Sequence, residues 1–165
     1  MQRLQLDPLT ADAFRPFGDV IDADTSCERL TINDGRTARH HALAMIECLG
    51  VGAGGAISIF RADPVDEAFV LRKMERHPLG SQAFINTSGH PYAIVVAPAG
   101  ALDETRIRGF LAHAGQSVNY RPGVWHHYLL ALEQPSDFVV VDRIGPGDNC
   151  DEQLLETPLQ LALGS

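Results

Sequence analysis

Glycine and proline interrupt this chain along its whole length. Its 165 residues include 15 glycines and 10 prolines, and these are spread through the sequence instead of forming one linker. The segments between them are short and rich in β-branched and aromatic residues: 56–61 (AISIFR), 82–86 (QAFIN), 92–97 (YAIVVA), 106–111 (RIRGFL), 116–120 (QSVNY) and 137–143 (DFVVVDR). Many short strands separated by turns predict an all-β barrel or sandwich.

Helical signals are few. Residues 10–17 predict one or two amphipathic turns, and residues 151–155 predict a second short helix. The glycine-rich stretch 50–55 (GVGAGG) precedes a strand and lacks the lysine and hydroxyl of a P-loop, so it predicts a hairpin loop. Because no composition shift marks a boundary, residues 1–165 are predicted to form a single domain.

Charge and composition exclude several classes of partner. The formal net charge of −8 opposes binding to phosphate backbones. No apolar run reaches the length of a membrane span, and the N-terminus lacks the apolar core of a signal peptide. Cys27, Cys48 and Cys150 are odd in number and form no C-x-x-C pattern, which argues against a disulfide framework or a zinc ribbon. We expect a cytoplasmic protein that binds neither nucleic acid nor membrane.

The densest polar cluster is residues 75–82 (ERHPLGSQ). If Glu75 and His77 share a strand, its two-residue period points them to the same face, where they can bind one ion or one substrate together. Pro78 and Gly80 predict a turn after this strand. Gln82 then returns a polar group to the interior.

A second cluster is residues 122–127 (PGVWHH), where a Pro-Gly turn leads into a strand. Adjacent strand residues face opposite ways. At most one of His126 and His127 therefore faces the interior, and the other faces solvent, a partner subunit or a second layer. We assign His126 to the interior site and His127 to packing, and we expect Trp125 to lie in a core or an interface.

The spacing of these clusters resembles the two motifs of the cupin superfamily. The first motif reads His, one residue, His, four residues, Glu, six residues, Gly. In this chain its offsets carry Glu75, His77, Gln82 and Gly89, while the second motif is matched by Gly123 and His126, with the proline displaced to Pro122. The resemblance implies a cupin-like double-stranded antiparallel β-barrel, or jelly roll, with a few short helices.

Two positions that carry metal ligands in cupins differ here, since they hold Glu75 and the neutral amide of Gln82. The candidate metal ligands in this chain are therefore Glu75, His77 and His126. Imidazole and carboxylate groups suit a divalent ion such as nickel, zinc, iron or manganese. The sequence does not decide between a site that holds such an ion and a site that functions without one. No organic cofactor is expected.

Longer strings resemble one family more closely. They are 75–84 (ERHPLGSQAF), 118–127 (VNYRPGVWHH) and 142–151 (DRIGPGDNCD), with 32–35 (INDG) and Arg39 upstream. Together they resemble the bacterial ureidoglycolate lyases of allantoin breakdown, a branch of purine catabolism, from about the first residues to Asp151. The resemblance implies a homodimer, sometimes with a divalent metal such as nickel, that splits ureidoglycolate into glyoxylate and intact urea. Trp125, His127 and the apolar run 159–163 are expected to find cover in such a dimer.

The reaction that this resemblance implies needs two titratable groups. Ureidoglycolate carries a hydroxyl, a ureido nitrogen and a carboxylate on one carbon. A base must take the hydroxyl proton as the carbonyl forms, and an acid must protonate the departing nitrogen. Glu75, His77 and His126 are the candidate catalytic residues, acting directly or through a metal that lowers the pKa of the hydroxyl.

The substrate also needs groups that bind it. The bidentate fork of arginine suits a carboxylate, and the candidates are Arg39 and Arg143, with Arg76 ranked lower because alternation turns it outward. Asn33 and Gln82 are candidates for the urea end, since amides both donate and accept hydrogen bonds. Two other functions stay open: another metal-dependent cupin enzyme acting on a small acid, and a noncatalytic cupin that binds a small ligand.

Overall fold

The computed structural model describes residues 1–25 and 28–163 of the chain. These residues form β-strands with one short α-helix, α1 (Ala11–Phe14), and one 3₁₀ turn (Glu104–Arg106). The strands are β1 (Gln2–Pro8), β2 (Gly18–Ile21), β3 (Arg29–Ile32), β4 (Thr37–His40), β5 (Gly54–Ala62), β6 (Val70–Arg76), β7 (Gln82–Asn86), β8 (Tyr92–Ala97), β9 (Arg108–Ala112), β10 (Ser117–Tyr120), β11 (Trp125–His126), β12 (Leu130–Ala131), β13 (Ser136–Ile144) and β14 (Asp151–Ala162). The predicted all-β class with a few short helices is confirmed.

The strands form two large sheets and one hairpin. The five-stranded sheet has the order β2-β10-β7-β13-β5, and the seven-stranded sheet has the order β11-β6-β14-β1-β9-β8-β12. The larger sheet closes on itself because β11 pairs with both β6 and β8. This is the predicted cupin-like barrel, although it is mixed and not wholly antiparallel, since β1 runs parallel to both β14 and β9.

The first core lies between the two large sheets and is rich in aromatic side chains. Phe14, Phe110 and Phe138 are fully buried in it. The ring of Phe14 meets the edge of the Phe110 ring at a centroid distance of 5.7 Å. Each such side chain stabilises the fold by roughly 1.5–3 kcal/mol through burial, so the single turn of α1 is held mainly by its packing.

A second core fills the inside of the closed seven-stranded sheet. It contains Trp125 together with Leu159 and Leu161 from β14. Alternate residues of β8 face the two cores, which explains why residues 92–97 are apolar without interruption. Trp125, His127 and the apolar C-terminal run therefore find their cover within one chain, contrary to the expectation that a partner subunit supplies it.

Several sequence-based elements have the predicted bounds. Residues 82–86 and 92–97 are β7 and β8, and residues 10–17 contain one helical turn, capped by the Thr10 side chain. The strand predicted from residue 106 begins at Arg108 because a 3₁₀ turn precedes it. The helix predicted over 151–155 is wrong, since these residues begin β14, which is held between β6 and β1.

No helix in the described part of the chain is long and apolar enough to cross a membrane. Cys48 and Cys150 are free thiols, and Cys27 lies outside the described residues.

Candidate active site

Glu75, His77 and His126 converge at one end of the barrel. Glu75 lies near the end of β6, directly opposite His126 in the paired strand β11. His77 follows β6, and its ring lies 5.1 Å from that of His126. Each of the three residues offers one ligand atom, and these atoms lie within 4.8 Å of one another. The pairing of two strands thus joins residues that are 49 to 51 positions apart in the sequence.

The imidazole of His77 is oriented by a loop. Its Nδ1 lies 2.7 Å from the backbone oxygen of Asn149. A carbonyl only accepts, so Nδ1 carries a proton, and in the neutral imidazole Nε2 then keeps a free lone pair. The Asn149 side chain also accepts a hydrogen bond from the backbone N–H of Leu79, at 2.7 Å. The loop after β13 thereby fixes both the ring and the turn that follows it.

The imidazole of His126 is buried and stacked. Its Nδ1 donates to the backbone oxygen of His127 at 3.2 Å, which leaves the Nε2 lone pair free. The ring of Tyr120 is stacked on it at 4.4 Å with an interplanar angle of 2°. Burial, with a smaller contribution from the nearby His77, lowers the pKa of His126 to about 3. This side chain is a neutral ligand or hydrogen-bond acceptor at neutral pH.

The carboxyl of Glu75 is the acidic member of the group. Its Oε1 lies 3.8 Å from Nδ1 of His126, and its side chain is 21% exposed. Burial raises the pKa of Glu75 above its usual value, while attraction to His77 opposes that change. A carboxyl whose pKa is shifted toward neutrality is suited to taking up and releasing a proton.

The donor set fits a divalent metal ion. The Nε2 atoms of His77 and His126 are buried and lack a hydrogen-bond partner among the described residues. Unpaired buried polar atoms cost free energy, so two imidazole lone pairs beside a carboxylate indicate a bound group. Two imidazoles and one carboxylate suit the borderline divalent ions of the first transition row.

A row of polar side chains on three neighbouring strands adjoins this group. Tyr120 of β10 lies opposite Gln82 of β7, and Gln82 lies opposite Asp142 of β13. Paired residues of an antiparallel sheet share a face. Tyr120 belongs to the core between the sheets and stacks on His126, so the row faces the same interior. The structure thus places Gln82 on the same face as Tyr120, whose ring contacts His126.

Asn33 and Arg39 lie elsewhere, on the hairpin formed by β3 and β4. Asn33 has a positive φ of 54° in the connecting turn, and its side-chain amide donates to Thr37 Oγ1. Arg39 is exposed in β4. This hairpin forms a separate two-stranded sheet. The structure does not bring either residue to the interior group.

Arg143 lies on the outer side of the five-stranded sheet because it follows the inward-facing Asp142. Its Nε donates to the backbone oxygen of Leu49, and a terminal nitrogen donates to that of Pro146. A Cβ at Gly80 would meet the Cβ of Arg143 at 2.6 Å, so this position requires glycine. Arg143 therefore ties together two loops beside the site, and the structure does not bring it to the predicted substrate carboxylate.

His127 and Arg76 lie outside the interior group, as their alternation predicts. His127 is 4% exposed and packs edge-on against Phe69 in a second layer. Arg76 forms an ion pair with Asp151 and lies over the Trp125 ring. The second of two adjacent histidines thus serves packing.

Sequence reasoning missed Tyr120, Asp142 and Asn149 as residues of this region. Tyr120 ends its strand two residues before the turn at Pro122. Because this turn interrupts the alternation of side chains, counting back from His126 does not predict which face of the sheet Tyr120 occupies. Asp142 stands next to Arg143, and nothing in its sequence position indicates a role in the site. Asn149 acts through its backbone oxygen, for which the sequence carries no signal.

Comparisons with known proteins give a full-length match. The family model described as ureidoglycolate lyase matches residues 1–162. Similar proteins named ureidoglycolate lyase include one from Pseudomonas fluorescens strain SBW25, 48% identical, and one from Pseudomonas putida strain W619, 49% identical. Each alignment covers 99% of this chain and 98% of the relative.

Solved structures of oxalate decarboxylase are more distant. One of them, from work on the substrate binding mode of oxalate decarboxylase, has a TM-score of 0.39 and 16% sequence identity to this chain. The alignment covers 61% of this chain and 24% of that chain. A mutant of the Bacillus subtilis enzyme has a TM-score of 0.38 and 13% identity, over 66% of this chain and 29% of that chain.

Proposed function

The chain belongs to the ureidoglycolate lyase family, and from this premise we propose that Glu75, His77 and His126 form the centre at which it splits ureidoglycolate into glyoxylate and urea. The observation that carries the assignment to these residues is their convergence beside the core between the two large sheets, with two free imidazole lone pairs beside one carboxyl. We place the reaction in the cytoplasm, as a step of allantoin breakdown.

The reaction moves one proton from oxygen to nitrogen. The carboxylate of Glu75 takes the hydroxyl proton while the C–O bond becomes the carbonyl of glyoxylate. The C–N bond breaks, and the nitrogen of the departing urea takes up the same proton from Glu75. No water is consumed, so the products are glyoxylate and intact urea. A carboxyl whose pKa is raised by burial suits both halves of this transfer.

The two histidines hold the reacting groups in this proposal. His126 stays neutral because burial lowers its pKa to about 3, so it accepts through Nε2 and does not serve as the acid. His77 presents its Nε2 in the same way, since Nδ1 donates to the Asn149 backbone. Glu75, His77 and His126 would also be the ligands of a divalent metal, with nickel, zinc or manganese as the candidates. When bound, such an ion supplies positive charge that lowers the pKa of the substrate hydroxyl.

The purified protein should convert ureidoglycolate to glyoxylate and urea in equal amounts, without releasing ammonia. Enzymatic detection of all three compounds checks this outcome. If Glu75, His77 and His126 hold an ion, prior treatment with a chelator should abolish turnover, and one of the candidate ions should restore it. Protein that carries tightly bound metal but does not turn over ureidoglycolate would contradict the proposal and favour another cupin enzyme acting on a small acid.

We further propose that the protein is a homodimer. The long strand β5 lies at the edge of the five-stranded sheet, and its Ile57 and Ile59 side chains are 78% and 70% exposed. An apolar edge strand of this kind favours pairing with another chain. Sedimentation velocity at micromolar concentration should therefore give twice the 17.9 kDa mass of one chain.

Lysine at both Ile57 and Ile59 should convert the dimer to monomers. Leu154→Lys is the matched control, because Leu154 is 74% exposed but lies on the other large sheet. A monomeric wild-type protein at this concentration would contradict the proposed dimer.

A further inference from the structure

Gln82 has one end of its side-chain amide paired and the other end free. Its Nε2 donates to Oδ2 of Asp142 at 3.1 Å. The residue is only 5% exposed. Its Oε1 is buried and has no hydrogen-bond partner among the described residues. Leaving such an acceptor unpaired costs free energy, so a bound group that donates a hydrogen bond is expected there.

Asp142 determines which end of the amide is free. Its Oδ2 accepts a hydrogen bond from the NH₂ end of Gln82, a bond that the carbonyl end cannot donate. With Nε2 held on the β13 side, Oε1 is the end left for a ligand. Because Gln82 is paired with Tyr120, whose ring stacks on His126, this acceptor faces the same interior as the proposed reaction centre.

We propose that Asp142 is a specificity-determining residue: it orients Gln82 so that Oε1 accepts a hydrogen bond from the terminal NH₂ of the ureido substrate. This inference rests on the proposed function and adds the residue that sets the substrate class. A ureido group presents N–H donors at its terminal nitrogen, whereas an acyl group presents a methyl or methylene there. A site built around a buried acceptor disfavours a ligand that leaves this acceptor unpaired.

The test compares two substrates that have the same reacting carbon. One is ureidoglycolate, and the other is N-acetyl-2-hydroxyglycine, in which a methyl group replaces the terminal NH₂. Asp142→Ala should raise KM for ureidoglycolate about tenfold and lower the preference for it over the acetyl compound by a similar factor. The turnover number should change much less, since this hydrogen bond is made in the ground state and the transition state alike.

A charge-conserving exchange provides the rescue. Gln82→Glu alone sets two carboxylates against each other and should also lose the preference. The double variant Gln82→Glu with Asp142→Asn keeps the net charge, restores one N–H···O bond between the strands and again leaves a carboxylate oxygen free to accept. We expect it to recover most of the preference. If Asp142→Ala does not fold, the comparison of this double variant with Gln82→Glu decides the question.

Asp137→Ala is the matched control, because Asp137 lies on the same strand but pairs with Arg61 at the surface. If Asp142→Ala or Gln82→Glu behaves like this control for both substrates, the role of Asp142 is refuted. Wild-type protein that cleaves neither compound would instead overturn the proposed function, on which the inference depends. Wild-type protein that cleaves both compounds equally well would leave the lyase chemistry intact and refute the selectivity.

Discussion

Replacement of His77 or His126 by alanine should lower the turnover number for ureidoglycolate by roughly a hundredfold or more, the range expected when a preorganised polar contact to the reacting group is lost. Both imidazoles present a buried Nε2 with no hydrogen-bond partner among the described residues. Alanine removes that lone pair and also leaves the Glu75 carboxyl without its neighbour. Steady-state kinetics on folded protein, verified by circular dichroism, measure the effect.

Two other histidines serve as controls. His113 is exposed, and His113→Ala should leave the turnover number nearly unchanged. His127 is buried against Phe69, so His127→Ala should lower the melting temperature while the turnover number stays much closer to that of the wild type. Near-wild-type kinetics for both His77→Ala and His126→Ala would remove this cluster from catalysis.

The stability of the metal-free protein should fall steeply as the pH drops below about 6.5. Burial lowers the pKa of His126 to about 3 and that of His127 to about 4. Between those values and the ordinary value of 6.5, the unfolded chain binds protons at these histidines and the folded chain does not. Each histidine should therefore lower the unfolding free energy by about 1.4 kcal/mol for every unit by which the pH falls between 6.5 and its pKa in the folded protein.

Glu75 opposes this trend. Its raised pKa means that the folded protein takes up a proton there at a higher pH than the unfolded chain, which favours folding as the pH falls. Carboxylates with lowered pKa values, such as Asp137, titrate below their ordinary value of 3.8, so they affect stability only below the range from pH 6.5 to 4.5. The two buried histidines should dominate between pH 6.5 and 4.5.

Urea denaturation at pH 7, 6, 5 and 4.5 measures the slope. The variant His127→Asn is the informative comparison, because asparagine keeps a donor for the Tyr128 backbone oxygen but does not titrate. Its stability should depend on pH about half as steeply as that of the wild type in this range. An unfolding free energy that is equal at pH 7 and pH 5 would show that neither histidine is held neutral.

Much of the fold follows from local sequence. Residues 82–86 and 92–97 have the strand bounds that their β-branched and aromatic residues predicted, because turn residues flank both segments. The two-residue period likewise predicted that Glu75 and His77 share a face and that His126 and His127 do not. These inferences succeed because they depend only on local backbone geometry, although His77 and His127 each lie one residue beyond the ends of β6 and β11.

Other features required the tertiary structure. Residues 151–155 carry a weak helical pattern, yet they form part of a twelve-residue strand because β6 and β1 satisfy its backbone hydrogen bonds on either side. The second core covers Trp125 and the C-terminal leucines, and Phe69 packs against His127, where the sequence predicts a partner subunit.

The difference between what the sequence determines and what the tertiary structure determines is clearest at the candidate site. The sequence determined which residue types meet the needs of the chemistry, since Glu75, His77, Gln82 and His126 stand at recognisable offsets. Only the tertiary structure decided that Asp142 faces Gln82 while Arg143 turns away to bind two loop carbonyls. That outcome depends on how β7, β13 and the flanking loops align across many intervening residues, and no local periodicity encodes such alignment.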